Sequence, residues 1–351
     1  MRIRIVSNLL VIGFIKFALL SASTFASDKA PFKYVWGTAH HILPKTHSDE
    51  SGYFSLCEGN DGRIYVGTAK YNHNAYLVEF DPVTTEQRIV IDAHKACELD
   101  AKGFAAQAKI HTRNFVGPSG IIYVGTKQGY AKEGDNSKYP GGYLITYDPR
   151  NDKSSNLGMP YKEQGIADVV ADEDRGLIYV VTCEDQHWMK YDVTTKRFTE
   201  IGPMLTPYAT TLVGADGKAH ALTKDFHLAT YDPATGKVIE RKIEINGKQF
   251  IRPNNSAIPT WNLATDGHTA WLILMNDATL ISIDLSSKIN KVTGLNHGPM
   301  LEGEGPDSRS ALTIAPDGKI YTLISVKNKT GFGNHRLHHL CRYDPKGKTH
   351  E

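Results

Sequence analysis

The chain has 351 residues, of which 40% are hydrophobic, 22% charged and 9% aromatic, a composition that supports a large buried core and excludes a disordered tail or a fibre. Forty Lys and Arg stand against 38 Asp and Glu; Arg2, Arg4 and Lys16 fall in the first 26 residues, which carry no acid, leaving 37 against 38 beyond them. A near-neutral balance with no basic stripe excludes a nucleic-acid partner on electrostatic grounds.

Residues 1–26 combine a basic start, an apolar stretch from Leu9 to Leu20 and small residues leading to Ala26, the pattern of a secretory signal peptide. Lys16 interrupts that stretch, which falls short of the ~20 apolar residues of a membrane span; an uncleaved N-terminal anchor is the alternative. The expectation is a periplasmic or secreted chain with no membrane span after cleavage, residues 27–351 forming one domain. Cys57, Cys97, Cys183 and Cys341 are far apart and form no CxxC pair. That excludes a zinc ribbon or redox motif and predicts mostly buried small side chains, with one disulfide left open.

From Tyr53 onward the chain repeats itself. A Gly-containing turn and a β-rich run recur as DGRIYVGT from Asp61, SGIIYVGT from Ser119, RGLIYVVT from Arg175, DGKAHALT from Asp216, DGHTAWLIL from Asp266 and DGKIYTLIS from Asp317. Downstream of each comes a β-run ending in Asp: Phe80-Asp81-Pro82, Tyr147-Asp148-Pro149, Tyr191-Asp192-Val193, Tyr231-Asp232-Pro233, Ile283-Asp284-Leu285 and Tyr343-Asp344-Pro345. Asp-Gly supplies the positive φ of a tight turn, and Pro after Asp starts a turn while ending the strand ladder. Each unit therefore predicts four strands, and the repeat predicts an all-β fold, a β-propeller of four-stranded blades. Six repeats are visible. Either six blades are sealed by an N-terminal strand around Tyr34 to Thr38, or a seventh blade is incomplete.

In such a blade the loops into the inner strand and those joining the second and third strands share one face. The sequence makes that face polar and aromatic, as a ligand site requires. His111 and Arg113 alternate on one inner strand and so present together; His111 is a candidate base beside an arginine, against a hydrogen-bonded strand histidine. Tyr208 opens another inner strand as a candidate proton donor or acceptor, against a rim-capping ring, and Arg309 is a candidate carboxylate clamp. Lys127, Gln128, Tyr130, His187, Trp188, Trp261 and Asn262 are candidate substrate contacts. Trp261 suits either sugar stacking or the core. Glu184, Asp185 and His187 have metal-ligand types without a metal spacing, and the His40-His41 and His338-His339 pairs face opposite ways in a strand. No metal and no cofactor is expected. There is no GxSxG, HExxH, GxxxxGK[ST] or dinucleotide fingerprint, which sets aside serine-hydrolase, zinc-protease and nucleotide chemistry.

With His111 in KIHTR, Tyr208 in TPYATT and arginines on inner strands, the chain resembles the propeller-type polysaccharide lyases, the oligogalacturonate and ulvan lyases. It is also similar, through AKIHTRN, GTKQGY, YPGGY and VTCEDQHW, to uncharacterised secreted bacterial propeller proteins. The lyase resemblance implies seven blades, an acidic polysaccharide or oligosaccharide as partner, and β-elimination from a uronate. Arg113 or Arg309 would neutralise the carboxylate while His111 and Tyr208 share the roles of base and acid. The chain departs from the ulvan-lyase pattern where a second histidine would follow the first, reading Tyr130-Ala131-Lys132 instead. The alternative is a non-catalytic propeller that binds a glycan, peptide or protein through the same face.

Overall fold

A computed structural model describes residues 33–35, 37–46, 48–50, 55–251, 261–286, 291–308 and 312–351. The expected signal peptide at 1–26, Tyr53 with its neighbours Gly52 and Phe54, Pro259-Thr260 and Arg309 lie outside the described residues. The chain divides into two compact units. The smaller comprises 1–39 and 328–335; its 328–335 loop closes on Asn328, which donates through Nδ2 to the Phe332 and Asn334 carbonyls, each at 2.6 Å. Tyr34, Val35, Gly37 and Thr38 adopt no strand, so the sealing strand expected there is absent among the described residues.

The larger unit, 40–327 with 336–351, is a β-propeller whose described residues form six blades. Blade I contains β1 (Leu56–Glu58), β2 (Ile64–Gly67), β3 (Tyr76–Phe80) and β4 (Gln87–Asp92), antiparallel in chain order. In blade II, β5 (Lys109–Ile110) and β6 (Phe115–Val116) both pair β7 (Ile122–Lys127), followed by β8 (Leu144–Asp148) and β9 (Lys153–Gly158). Blade III runs β10 (Gly165–Asp172), β11 (Leu177–Cys183), β12 (Trp188–Asp192) and β13 (Arg197–Glu200). Blade IV has β14 (Leu212–Val213), β15 (Ala219–Leu222), β16 (Leu228–Asp232) and β17 (Lys237–Ile245), with β18 (Lys248–Gln249) hairpinned onto β17. Blade V has β19 (Trp261–Leu263), β20 (Thr269–Ile273), β21 (Thr279–Asp284) and β22 (Lys291–Pro299). Blade VI has β23 (Thr313–Ile314), β24 (Ile320–Lys327), β25 (Arg336–Asp344) and β26 (Thr349–His350). The outer strands β17 and β22 also pair in parallel, joining blades IV and V edge to edge.

Local turn chemistry produces these blades. The glycine of each first turn, Gly62, Gly120, Gly176, Gly217, Gly267 and Gly318, has φ between 64° and 86°, a region closed to most side chains. At each second turn the aspartate folds back on its own backbone: Asp81 accepts from Val83 N, Asp148 from Arg150 N, Asp192 from Thr194 N, Asp232 from Ala234 N, Asp284 from Ser286 N and Asp344 from Lys346 N. These Asx turns end the third strand of every blade. The core fills the space between neighbouring blades. Tyr65, Leu77 and Ile91 of blade I pack with Ile110, Val124 and Tyr147 of blade II, each buried aliphatic side chain contributing about 1.5–3 kcal/mol.

Candidate functional site

The inner-strand starts are stitched from blade to blade. Ser55 Oγ donates to Asn114 Oδ1 at 3.0 Å between blades I and II. Arg113 Nε meets Asp168 Oδ1 at 3.1 Å between blades II and III. The other Asp168 oxygen accepts from the Thr210 hydroxyl and from Thr211 N of blade IV. Trp261 Nε1 of blade V then donates to the Thr210 carbonyl at 3.0 Å, and Asn262 Nδ2 donates to the Leu312 carbonyl ahead of β23. Asp168 is thus a carboxylate buried to 1% exposure, held by an arginine and two threonines. Burial raises its carboxyl, with Arg113, Thr210 and Thr211 opposing.

Beside this chain of contacts lies a concentration of positive charge. Lys109 and Lys127 are directly opposite each other in the antiparallel pairing of β5 with β7. Like charges so placed disfavour the sheet. Lys127 is offset by Glu184, 3.1 Å from its Nζ, and it also donates to Cys183 Sγ. Lys109 is almost fully buried; its Nζ lies 4.5 Å from the Tyr71 ring centroid and 5.4 Å from that of Tyr130, a cation–π arrangement. Burial and the charge of Lys127 lower the Lys109 ammonium. His111 sits among Lys109, Lys127 and Arg113, and burial together with those three cations pushes its imidazole down to about 4. Near neutral pH it is an uncharged base in a cationic setting.

The structure therefore brings together His111, Arg113, Lys127, Gln128 and Tyr130. Gln128 Nε2 donates to Glu184 at 3.1 Å, and Tyr130, 69% exposed, meets the Tyr71 ring edge-on at 5.0 Å. Tyr208 joins through its backbone, with its carbonyl accepting from Arg113 Nη2 at 2.8 Å. Its φ of 63° and exposed ring place it at the rim.

Other expectations need correction. Arg113 is committed to Asp168 and the Tyr208 carbonyl, so it anchors the blades and is poorly placed to clamp a ligand carboxylate. Trp188 and Trp261 are 0% and 2% exposed, and the Trp188 indole donates to Thr211 Oγ1. Packed into the core, neither ring has a face for sugar stacking. His187 binds Glu200 Oε1 on β13 at 2.7 Å and stacks on Tyr161, which directs it to the outer side of its blade. Asn262 spends its amide on the Leu312 carbonyl. The four cysteines are unbridged thiols, and no cluster of metal-ligand side chains occurs among the described residues.

Sequence reasoning missed Asp168 and Cys183 as site residues; Lys109 and Tyr71 fall in the inner-strand start 109–113 and the loop 70–74 that it expected at this end, without roles of their own. Of the run 109–113 only Lys109–Ile110 form a strand. Nothing local marks Asp168.

No family model and no curated protein matches the chain. Solved structures share the fold. A fungal alcohol oxidase of the AA5 family in complex with copper aligns with a TM-score of 0.56 at 10% identity, over 85% of this chain and 64% of its own. The chain thus spans under two thirds of that oxidase. A periplasmic gluconolactonase from Pseudomonas aeruginosa aligns with a TM-score of 0.51 at 13% identity, over 82% of this chain and 81% of its own. Hydrazine synthase from Kuenenia stuttgartiensis aligns with a TM-score of 0.50 at 16% identity, over 89% and 80%. At these identities the likeness establishes the β-propeller and nothing of its chemistry. No helix among the described residues is long and apolar enough to cross a membrane.

Proposed function

We propose that the chain acts on an acidic saccharide at the end of the propeller that carries Lys109, His111 and Lys127. One observation carries this reading: two lysines directly opposed across a strand pair with an uncharged histidine among them. Glu184 and the Tyr71 and Tyr130 rings offset part of this repulsion, and an anionic ligand group seated between the two lysines would relieve the remainder. A uronate carboxylate seated against Lys109 and Lys127 has its charge neutralised, which acidifies the C5 proton. His111, unprotonated near neutral pH, then removes that proton, and the Tyr208 hydroxyl at the rim returns one to the departing O4, completing a β-elimination. Arg113 serves as a positioning residue, through its hold on Asp168 and Tyr208. Export to the periplasm or beyond rests on the signal-like residues 1–26 and suits a polymeric substrate.

Calorimetric titration of the full chain with oligogalacturonate and with an uncharged oligosaccharide of equal length tests the binding half. The acidic ligand is expected to bind with an affinity that falls as salt rises, and Lys109→Gln is expected to weaken it about tenfold, the loss of one charge-assisted contact. Equal binding of both ligands, or none of the acidic one, rejects the reading.

A further inference from the structure

Lys127 and Cys183 approach each other from neighbouring blades, the first ending β7 and the second ending β11. The Nζ to Sγ separation is 2.5 Å, shorter than the usual N–H···O hydrogen bond even though sulfur is the larger atom. Glu184 Oε1 stands 3.1 Å from the same nitrogen and, with Cys183, holds the Lys127 ammonium above its ordinary value against the effect of burial. Cys183 is partly exposed, whereas Cys97 and Cys341 are buried. Burial raises the Cys183 thiol and the Lys127 ammonium opposes that rise. At Cys57 and Cys97 no cation opposes burial, which pushes each thiol up to about 12. Cys183 and Cys57 are both partly exposed, and what sets Cys183 apart is the Lys127 amine bonded to its sulfur, which opposes the rise that burial imposes on the thiol.

We propose that Lys127 and Cys183 are a modification site, joined under peroxide into a covalent nitrogen–oxygen–sulfur bridge. The Cys183 thiolate attacks one hydrogen peroxide, forming S–O and breaking O–O, to give the sulfenic acid and water. The neutral amine of Lys127, its proton released to solvent, attacks a second peroxide, forming N–O and breaking O–O, to give the N-hydroxylamine and water. The hydroxylamine oxygen then displaces hydroxide from the sulfenic sulfur, which leaves as a third water. In sum, one amine, one thiol and two peroxides give one bridge and three waters. Bridging removes the Lys127 ammonium from the cationic cluster; that this lowers ligand affinity rests on the functional reading above, whereas the bridge itself does not.

The test treats the full chain with hydrogen peroxide and reads intact and peptide masses, before and after a thiol reductant. The expected product gains one oxygen, loses two hydrogens, links the peptides bearing Lys127 and Cys183, and reverts on reduction. It is lost completely in Lys127→Arg and in Cys183→Ser, each verified as folded by circular dichroism. Lys127→Arg keeps the charge and so remains informative if Cys183→Ser fails to fold. An oxygen gain without hydrogen loss, or the same product in Lys127→Arg, overturns the proposal. A bridged protein that binds oligogalacturonate as tightly as the reduced form upholds the bridge and rejects the acidic-saccharide reading. A fall of about tenfold supports both.

Discussion

Arg113 and Asp168, 55 positions apart in sequence, close an ion pair at 3.1 Å, with the Arg113 side chain 16% and the Asp168 side chain 2% exposed. The pair ties blade II to blade III, and through Thr210 and Thr211 it reaches blade IV. Removing one partner of a buried pair strands the other, at about 3–5 kcal/mol. Asp168→Ala is therefore expected to lower the urea unfolding free energy by about that amount. Arg113→Met with Asp168→Leu should recover much of the loss, since two apolar side chains leave no charge unpaired. Additive losses in the double variant would mean that the pair contributes no coupling.

His111 predicts a pH dependence of stability. Its folded-state value of about 4 lies below the ordinary 6.5, so between those values the unfolded chain binds a proton that the folded chain does not. Stability contributed by this site is then present above pH 6.5 and lost as pH falls toward 4, by up to about 3 kcal/mol from the size of the shift. Asp168, with its raised carboxyl, acts in the opposite sense as pH falls. Unfolding midpoints measured from pH 7 to pH 4 for the parent and His111→Gln should separate the two. The variant should lose less stability over that range, and parallel curves would show that His111 titrates normally.

Trp188 and Tyr130 should respond in opposite ways. Trp188 is fully buried, so Trp188→Ala is expected to cost about 3–5 kcal/mol of stability. Tyr130 is exposed and faces Lys109. Tyr130→Ala should leave the melting temperature nearly unchanged while altering affinity for an acidic ligand. Thermal melts and titrations of both variants check this, and a large stability loss in Tyr130→Ala would contradict the assignment.

What the sequence made legible is what short segments decide. Gly62 and its five counterparts need positive φ, and Asp81 and its counterparts bond their own backbone within three residues. Both signals recur in every blade and led directly to the propeller. The face of the site was legible only in part: the sequence predicts an inner strand through His111 and Arg113, whereas β5 ends at Ile110 and β6 begins at Phe115, so the two residues lie in the connection between them. The rest depends on contacts distant in sequence. Arg113 is an attractive ligand clamp until Asp168 is brought against it from the next blade, and Trp261 is an attractive stacking platform until blade IV covers it. His187 shares a loop with Glu184, yet the return of β13 gives it Glu200 and turns it outward.

The most direct measurement is ultraviolet absorbance of the unsaturated uronate released when purified protein is incubated with ulvan, oligogalacturonate, alginate and glycosaminoglycans, beside a His111→Ala variant shown to be folded. The account predicts a rise with at least one polymer and a loss of about 10²–10⁴-fold in rate for the variant, the usual contribution of a general base. A rise that His111→Ala leaves intact, or no rise with any of these polymers, would contradict it.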